Sequence, residues 1–163
     1  MQEQRAIRCE AVIIKDNKIL LIYCKKRELE YYVLPGGSLE ANETLEQCVL
    51  REIKEETTVI ASVEKLLYVY DIKDDLKKYL FLCKYISGEP RIGEGNEREE
   101  LKNDKNLEYI PSWYPLDSLK NLHLIYTLEF RDWLLQNNER LSEVNEPCIL
   151  KISREQQMGW RHK

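Results

Sequence analysis

The chain has 163 residues, of which 43% are hydrophobic and 33% charged, and a formal net charge of −4 at pH 7. This length and apolar fraction suit one compact domain with a sizeable core, and no apolar run approaches the roughly 20 residues of a membrane helix. The acidic balance gives no support for general nucleic-acid binding, which relies on basic surfaces.

Two strands are predicted in the first part of the chain. Ile7 to Ile14 alternates and then becomes apolar, as a strand entering a core does. Asp16-Asn17 suits a two-residue turn into a second strand over Lys18 to Tyr23. Lys25 to Glu30 is dominated by charged residues, so we expect it to be a loop before the apolar run at 31–33.

The segment Thr44 to Thr57 predicts a helix whose apolar stripe becomes acidic in its last turns. On a wheel of roughly 100° per residue, three apolar residues of the first turns lie within about 60° of Glu52. These residues are Leu45, Cys48 and Val49, and Ile53 lies just beyond them. Glu55 and Glu56 follow Glu52 at i+3 and i+4, so the three carboxylates are expected to converge on one patch.

Carboxylates that converge on a half-buried stripe repel one another, and burying them unpaired is strongly unfavourable. A divalent cation that prefers oxygen ligands, Mg²⁺ or Mn²⁺, removes this conflict. A solvated charged face also explains a glutamate-rich helix, but it does not explain why the glutamates continue the apolar stripe. We therefore favour a metal site at Glu52, Glu55 and Glu56.

A glycine-rich turn, Leu34-Pro35-Gly36-Gly37, precedes this helix. Its two glycines lack Cβ atoms, so a ligand can approach the main chain closely. From Gly37 the chain runs five residues to Glu43 and seven more to Arg51, and it continues Glu-Ile-Lys-Glu-Glu-Thr-Thr-Val. This pattern closely resembles the Nudix box and departs from it only at Thr58, where the box has its final glycine.

The resemblance covers Gly37 to Val59 and implies an α/β/α sandwich with a mixed β-sheet. It also implies a loop–helix–loop that binds a divalent metal, Mg²⁺ or Mn²⁺, and hydrolyses a nucleoside diphosphate linked to another group. The family's metal-binding carboxylates correspond to Glu52, Glu55 and Glu56. Arg51 corresponds to the arginine that orients a glutamate, often the one at the Glu43 position.

Other residues of the motif have expected structural roles. Gly36 and Gly37 are expected to position phosphates or metal-binding carbonyl groups. Glu43 complements the helix dipole near its N-terminus, and either Thr44 or Asn42 can serve as the N-cap.

Thr58 is expected to avoid the left-handed conformation that a glycine would adopt there, because that conformation costs a β-branched residue about 1–2 kcal/mol. We therefore expect Thr57-Thr58-Val59 to enter the next strand early, which would make Thr58 a neutral departure.

Further strands and a second helix are predicted after the motif. Val59 to Asp71 and Tyr79 to Ile86 are predicted strands, joined by a charged connection over Lys73 to Lys78. Trp113 to Pro115 is a predicted extended piece, and Cys148 to Ile152 is a predicted edge strand. A broad apolar stripe predicts a second long helix. It comprises Ile125, Leu128 and Leu135, flanked by Phe130, Trp133 and Leu134.

Gly88 to Asn106 has glycines and mixed charges and predicts a solvated loop over most of its length. In many Nudix proteins a glutamate outside the box supplies a further ligand or the general base. The candidates here are Glu97, Glu99 and Glu100. Because a base has to reach only one water and a loop can deliver it, we favour Glu100, with Glu52 as the competing candidate.

The expected reaction is attack of water on phosphorus, helped by a metal that lowers the pKa of that water and by a glutamate that accepts its proton. One alternative is a Nudix-like domain that binds a nucleotide as a sensor without cleaving it, and another is isomerisation of a small diphosphate. A sensor is expected to lose one or more of the carboxylates, and all of them are present. We therefore favour hydrolysis.

We expect one domain over 1–163, with a core over about 5–140 and a tail over 141–163. The five cysteines form no Cys-x-x-Cys pair and are expected to be buried free thiols in a reducing cytoplasm. The polar start, Met1 to Arg5, does not resemble a signal peptide. The expected protein is a cytoplasmic monomer or homodimer that acts on a small nucleoside diphosphate derivative, with neither a membrane nor a nucleic acid as partner.

Overall fold

The computed structural model describes residues 5–72, 75–95, 101, 103–104, 106–122 and 128–152. The strands are β1 Ala6–Val12, β2 Ile14–Lys15, β3 Lys18–Lys26, β4 Leu29–Val33, β5 Gly36–Ser38, β6 Ile60–Ile72, β7 Leu76–Ser87, β8 Leu107–Pro115 and β9 Cys148–Ile152. The helices are α1 Leu45–Thr57, α2 Leu128–Asn137 and the 3₁₀ helices Leu116–Lys120 and Asn138–Glu143. No helix within these ranges is long and apolar enough to cross a membrane.

Two sheets organise the described residues. Five strands form a mixed sheet in the order β5-β1-β7-β6-β9, in which β1 runs parallel to β7 and β9 runs parallel to β6. The second sheet is antiparallel and is built on β3, which pairs with β2, β4 and β8. The predicted edge strand over Cys148 to Ile152 is confirmed as β9.

The residues around the end of β1 show how the two helices come to lie on opposite faces of the mixed sheet. Ala11 and Ile13 pack in the core that contains the buried side of α1, whereas Val12 packs in the core that contains Phe130 and Leu134 of α2. Successive side chains of an extended chain point to opposite faces, so an uninterrupted apolar run serves both cores. The α/β/α sandwich with a mixed sheet is therefore confirmed.

The segment that was predicted to be a charged loop, Lys25 to Glu30, is a β-hairpin. β3 continues to Lys26 and pairs with β4, so the turn contains only Arg27 and Glu28. Arg27 adopts the left-handed φ of 57° that such a tight turn needs. The prediction was wrong because charged residues do not exclude a strand whose side chains stay largely exposed: Lys25 pairs with Glu30 across the hairpin, and Lys25 Nζ lies 3.8 Å from Glu30 Oε1.

Several other boundaries differ from the prediction, although the elements exist. β7 begins at Leu76, so the end of the predicted connection over Lys73 to Lys78 belongs to a strand. β8 begins at Leu107, well before the predicted extended piece at Trp113. α2 begins at Leu128, and Ile125 lies outside the described residues.

Thr44 is the N-cap of α1 and forms a capping box with Gln47. The Gln47 N–H donates to Thr44 Oγ1 (3.2 Å), and the Thr44 N–H donates to Gln47 Oε1 (2.8 Å). This settles the choice between Thr44 and Asn42 that the sequence left open.

Thr58 closes the other end of α1 in the left-handed conformation, with φ 58° and ψ 2°. Its N–H donates to Lys54 O (3.0 Å), which satisfies one of the last carbonyl groups of the helix. The expectation that Thr57-Thr58-Val59 enters the strand early was therefore wrong, since β6 begins only at Ile60. The hydroxyl of Thr58 donates to Glu89 O (2.9 Å), a contact that offsets part of the backbone strain.

Candidate active site

The buried stripe of α1 runs into a carboxylate, as the sequence predicted. Its buried members are Cys48, Val49, Ile53, Glu56 and Thr57. Glu56 is only 7% exposed, while the side chains of Glu52 and Glu55 are 13% and 41% exposed. The three glutamates thus stand at increasing distance from the core, with Glu56 innermost.

The carboxylate of Glu56 is held by the glycine turn that precedes the helix. The Gly36 N–H donates to Glu56 Oε2 at 2.7 Å, a buried contact to an ionisable acceptor. The carbonyl oxygen of Gly36 in turn accepts from Arg8 Nη2 at 3.3 Å. Main-chain groups of Gly36 therefore connect β1, the turn and the last turn of α1.

Gly37 leaves the space that the carboxylate of Glu52 occupies. A Cβ atom at Gly37 would lie 2.0 Å from Glu52 Oε1 and 2.6 Å from Glu52 Oε2. Any larger residue would have to displace this carboxylate. Each of the two consecutive glycines therefore contacts one glutamate of the helix, Gly36 through its N–H and Gly37 by leaving space for the carboxylate.

Arg51 lies among the remaining carboxylates. Its Nε and Nη2 donate to the two carboxylate oxygens of Glu43 at 2.8 and 3.0 Å, which is a bidentate pair. Its Nη1 donates to Glu52 Oε1 at 2.8 Å and to Glu55 Oε2 at 3.2 Å. Nη2 also donates to the carbonyl oxygen of Ser38 at 3.1 Å. One guanidinium therefore fixes the positions of three glutamates.

These contacts keep the pair of Arg51 and Glu43 charged. Hydrogen bonding to Arg51 lowers the pKa of Glu43 below its ordinary value of 4.5. Hydrogen bonding to Glu43 and Glu52 raises the pKa of Arg51 above its ordinary value. The positive charge beside Glu52 and Glu55 is therefore permanent at any pH at which the protein is folded.

The three glutamates predicted to bind metal are divided between two partners. Glu52 and Glu55 contact Arg51, whereas Glu56 contacts Gly36. Among the described residues, no three Asp, Glu, His or Cys side chains are gathered in a geometry that holds a metal ion. The donors are nevertheless carboxylate oxygens, the type of ligand that a hard divalent cation prefers.

Glu97, Glu99 and Glu100, the loop candidates for the general base, lie outside the described residues. Two contributors were missed by the sequence analysis: the carbonyl of Ser38, which binds Arg51, and Arg8, which binds Gly36. Both act through backbone atoms of β5, which pairs with β1. That pairing has no local sequence signal, so the two contacts become visible only once the strands are in register.

Comparison with known proteins agrees with this arrangement. The NUDIX domain family matches residues 5–134 of the chain. An ADP-ribose pyrophosphatase of Methanocaldococcus jannaschii is 39% identical over 108 residues, which cover 63% of this chain and 64% of that protein. An 8-oxo-dGDP phosphatase of Homo sapiens is 29% identical over 64% of this chain and 30% of that protein. The chain thus matches less than two thirds of the length of either relative.

The fold is also similar to that of solved structures. An ADP-ribose pyrophosphatase from Streptococcus suis superposes with a TM-score of 0.66 and 21% identity, covering 90% of this chain and all of that one (100%). A UDP-X diphosphatase superposes with a TM-score of 0.62 and 23% identity, covering 91% of this chain and 68% of that one. At these identities the likeness concerns the fold. The family match over residues 5–134, which is most of the chain, shows that it belongs to the NUDIX domain family.

Proposed function

We propose that the chain hydrolyses the diphosphate linkage of a nucleoside diphosphate joined to another group. The named activities of its relatives support this class, because ADP-ribose, 8-oxo-dGDP and UDP-X all contain a diphosphate attached to a nucleoside. The proposed site comprises Arg51, Glu52, Glu55 and Glu56 together with Gly36 and Gly37.

The observation that carries the proposal is the pairing of two helix carboxylates with two consecutive glycines. Glu56 is buried, yet it keeps its carboxylate against the Gly36 N–H at 2.7 Å, and Glu52 lies over Gly37 where a Cβ would clash. A structural role alone does not account for acids on an apolar stripe, since a hydrophobic side chain would pack there at less cost. Acids kept at such positions favour a ligand that needs them.

The proposed ligand is a divalent cation, Mg²⁺ or Mn²⁺, held by Glu52, Glu55 and Glu56. Nudix hydrolases generally need such a metal, and oxygen donors of this kind suit it. When bound, the cation would offset the charge of the diphosphate and acidify a water molecule. Arg51 would keep Glu52 and Glu55 oriented, and its contacts with Glu43 hold the guanidinium in place.

The proposed general base is a loop glutamate, with Glu100 favoured over Glu97 and Glu99, and Glu52 is the alternative. A base has to accept the proton of the attacking water in line with phosphorus. Glu52 is already bonded to Arg51 and lies against Gly37, which suits a fixed ligand better than a base. We also propose that the protein acts in the cytoplasm as a monomer or a homodimer.

The same fold can bind a nucleotide without cleaving it, and a sensor of this kind is the second candidate. The presence of Arg51 and of all three glutamates, with Glu52 and Glu55 held by Arg51 and Glu56 held by Gly36, favours the enzyme. A third possibility, isomerisation of a small diphosphate, needs further acid and base groups, and the described part of the site provides no such pair.

The proposal is tested by incubating the protein with ADP-ribose, a UDP-sugar, 8-oxo-dGDP and a dinucleoside diphosphate in Mg²⁺, Mn²⁺ or a chelator. We expect cleavage to a nucleoside monophosphate for at least one substrate and none in the chelator. Glu56→Gln keeps the shape and an acceptor for the Gly36 N–H but removes the charge, so turnover should fall on the order of 100-fold or more.

Glu46→Gln is the matched control, because Glu46 is an exposed glutamate of the same helix. It should keep the wild-type rate. Full turnover by Glu56→Gln at saturating Mg²⁺ would refute the assignment of Glu56. Tight nucleotide binding without cleavage of any substrate would instead favour the sensor.

A further inference from the structure

Residues 88–95, here called the covering segment, lie against the C-terminal turn of α1. The last carbonyl groups of a helix have no partners within the helix and must find them elsewhere. Two of them are satisfied by this segment: the Arg91 N–H donates to Thr57 O at 2.9 Å, and the Gly95 N–H donates to Glu55 O at 3.3 Å. The segment therefore completes the end of the helix that carries the candidate metal ligands.

Gly93 makes the closest approach in the covering segment. A Cβ atom at this position would lie 2.0 Å from Glu55 O and 2.8 Å from Lys54 O. These are backbone atoms within a helix, so neither can move aside cheaply. A glycine is needed here for reasons of space, and any side chain would push the segment away from the helix.

Thr58 supplies a side-chain contact to the same segment. Its hydroxyl donates to Glu89 O at 2.9 Å. A glycine at this position, as in the Nudix box, would relieve the left-handed strain but could not make this bond. The departure from the motif therefore comes with a contact that the motif's own residue lacks.

The covering segment is also fixed where it begins. The hydroxyl of Tyr85, near the end of β7, donates to Gly88 O at 3.0 Å. Contacts at Gly88, Glu89, Arg91, Gly93 and Gly95 thus follow one another along the segment.

Glu55 links the covering segment to the candidate active site. Its carbonyl oxygen accepts from Gly95, and its carboxylate accepts from Arg51 at 3.2 Å. The contact with the covering segment therefore fixes the turn of α1 from which the carboxylates of Glu55 and Glu56 project.

We infer that Thr58 and Gly93 are positioning residues that hold the covering segment on the C-terminal turn of α1 and thereby fix the turn that carries Glu55 and Glu56. The catalytic effect rests on the proposed function, whereas the contacts between the covering segment and α1 are a property of the fold. Neither residue belongs to the proposed metal- and substrate-binding residues. Both act through the covering segment.

The test compares Thr58→Val, which keeps the β-branched shape and the backbone strain, with Thr58→Ser, which keeps the hydroxyl. Amide hydrogen exchange at Arg91 and Gly95 reports how firmly the covering segment is bound to α1. Steady-state kinetics report the effect of this binding on turnover. We expect Thr58→Val to speed exchange at both amides and to lower kcat on the order of 5-fold, the ratio that goes with one lost hydrogen bond. KM should change by less than about 2-fold, since no binding contact is removed.

Thr58→Ser should restore slow exchange and the wild-type kcat. Glu89→Ala is the control for the segment, because it removes an exposed side chain and keeps the carbonyl that Thr58 binds. It should behave as the wild type in both measurements. Gly93→Ala should have a larger effect on exchange and on kcat than Thr58→Val, with the fold checked by far-ultraviolet circular dichroism.

Wild-type exchange in Thr58→Val would overturn the inference, as would faster exchange with an unchanged kcat, because the hold would then have no catalytic role. Equal losses in Thr58→Ser and Thr58→Val would also overturn it. If the wild type cleaves no nucleoside diphosphate, the proposed function fails on its own. In that case, fast exchange of the Arg91 and Gly95 amides in Thr58→Val, with slow exchange in Thr58→Ser, still supports the role of Thr58 in holding the covering segment on α1. Unchanged exchange in Thr58→Val overturns that role.

Discussion

At the scale of single residues, the site depends on one cation that keeps several anions apart and in place. Arg51 contacts Glu43 through two nitrogens and reaches Glu52 and Glu55 with a third. Without it, carboxylates a few ångströms apart on one helix would repel one another and disperse towards solvent. The planar guanidinium satisfies the geometry of all three at once, which a lysine ammonium does not.

Replacing Arg51 by Lys should therefore keep the charge and lose the geometry. We expect the free energy of unfolding to fall by about 1–3 kcal/mol, because the bidentate pair with Glu43 is lost and Glu52 is no longer held. Hydrolysis should fall about 10-fold or more, since misplaced ligands are costly in catalysis. Urea unfolding and initial rates measure the two effects separately.

Arg140→Lys is the control, because Arg140 is exposed and lies in the 3₁₀ helix after α2, outside the proposed site. It should change the free energy of unfolding by less than about 0.5 kcal/mol. An Arg51→Lys protein with the stability and the hydrolysis rate of the wild type would show that the hydrogen bonds of Arg51 do not position the glutamates.

The identity of these residues could be predicted from the sequence, but their partners could not. The spacing of Arg51 and the glutamates on a helix is local, so the chain alone indicates that they share a surface. Whether Glu56 faces Glu52 or the main chain of Gly36 depends on how the turn before the helix folds back onto it. In the structure, Glu52 and Glu55 contact Arg51, and Glu56 contacts Gly36.

At the scale of elements, both ends of α1 are set by residues within or next to the helix. Its start is set by the capping box of Thr44 and Gln47, and its end by the left-handed Thr58. The prediction of a helix over Thr44 to Thr57 was therefore accurate to within a residue. The N-terminal cap matters for the site because Glu43 directly precedes the N-cap Thr44 and accepts a hydrogen bond from Arg51.

Thr44→Ala should lower the free energy of unfolding by about 1 kcal/mol, since the side-chain acceptor for the Gln47 N–H disappears. Thr44→Ser, which keeps that acceptor, should be close to the wild type. Chemical denaturation followed by circular dichroism provides the comparison. Equal stability of the alanine and serine variants would mean that solvent replaces the cap without loss.

The strands were less predictable than the helix because their ends depend on partners far away in the chain. β8 is the clearest case: Pro111 and Pro115 argue against a strand, yet the whole of Leu107–Pro115 pairs with β3. Among the described strands β8 pairs with β3 and with no other, so it lies at a sheet edge, where a missing N–H is tolerated. The sequence of β8 does not reveal that it occupies an edge.

At the scale of the whole molecule, two apolar cores on opposite faces of the mixed sheet determine which side chains meet solvent. The burial of the five cysteines illustrates this. Cys9, Cys24, Cys48 and Cys83 are buried, Cys148 at the start of β9 is partly exposed, and all five are free thiols. The expectation of free thiols is confirmed, and four of the five are buried as predicted.

Burial also makes these thiols poor nucleophiles. Desolvation raises the pKa of Cys48 to about 11 and that of Cys83 to about 12. The reactive species is the thiolate, so at pH 8 only about one in 1,000 of the Cys48 thiols would be ionised even if the reagent could reach them. Poor accessibility and low ionisation therefore both lower the reactivity of the buried thiols.

We predict that a chromogenic disulfide reagent at pH 8 titrates one thiol of the native protein rapidly and the other four only as the protein unfolds. Cys148→Ser should abolish the rapid phase, and the wild type in denaturant should release all five thiols at once. The slow phase then reports global unfolding, because Cys48 and Cys83 lie in α1 and β7 against the same core. A rapid thiol that remains in the Cys148→Ser protein would contradict this prediction, because a buried cysteine would then become accessible without global unfolding.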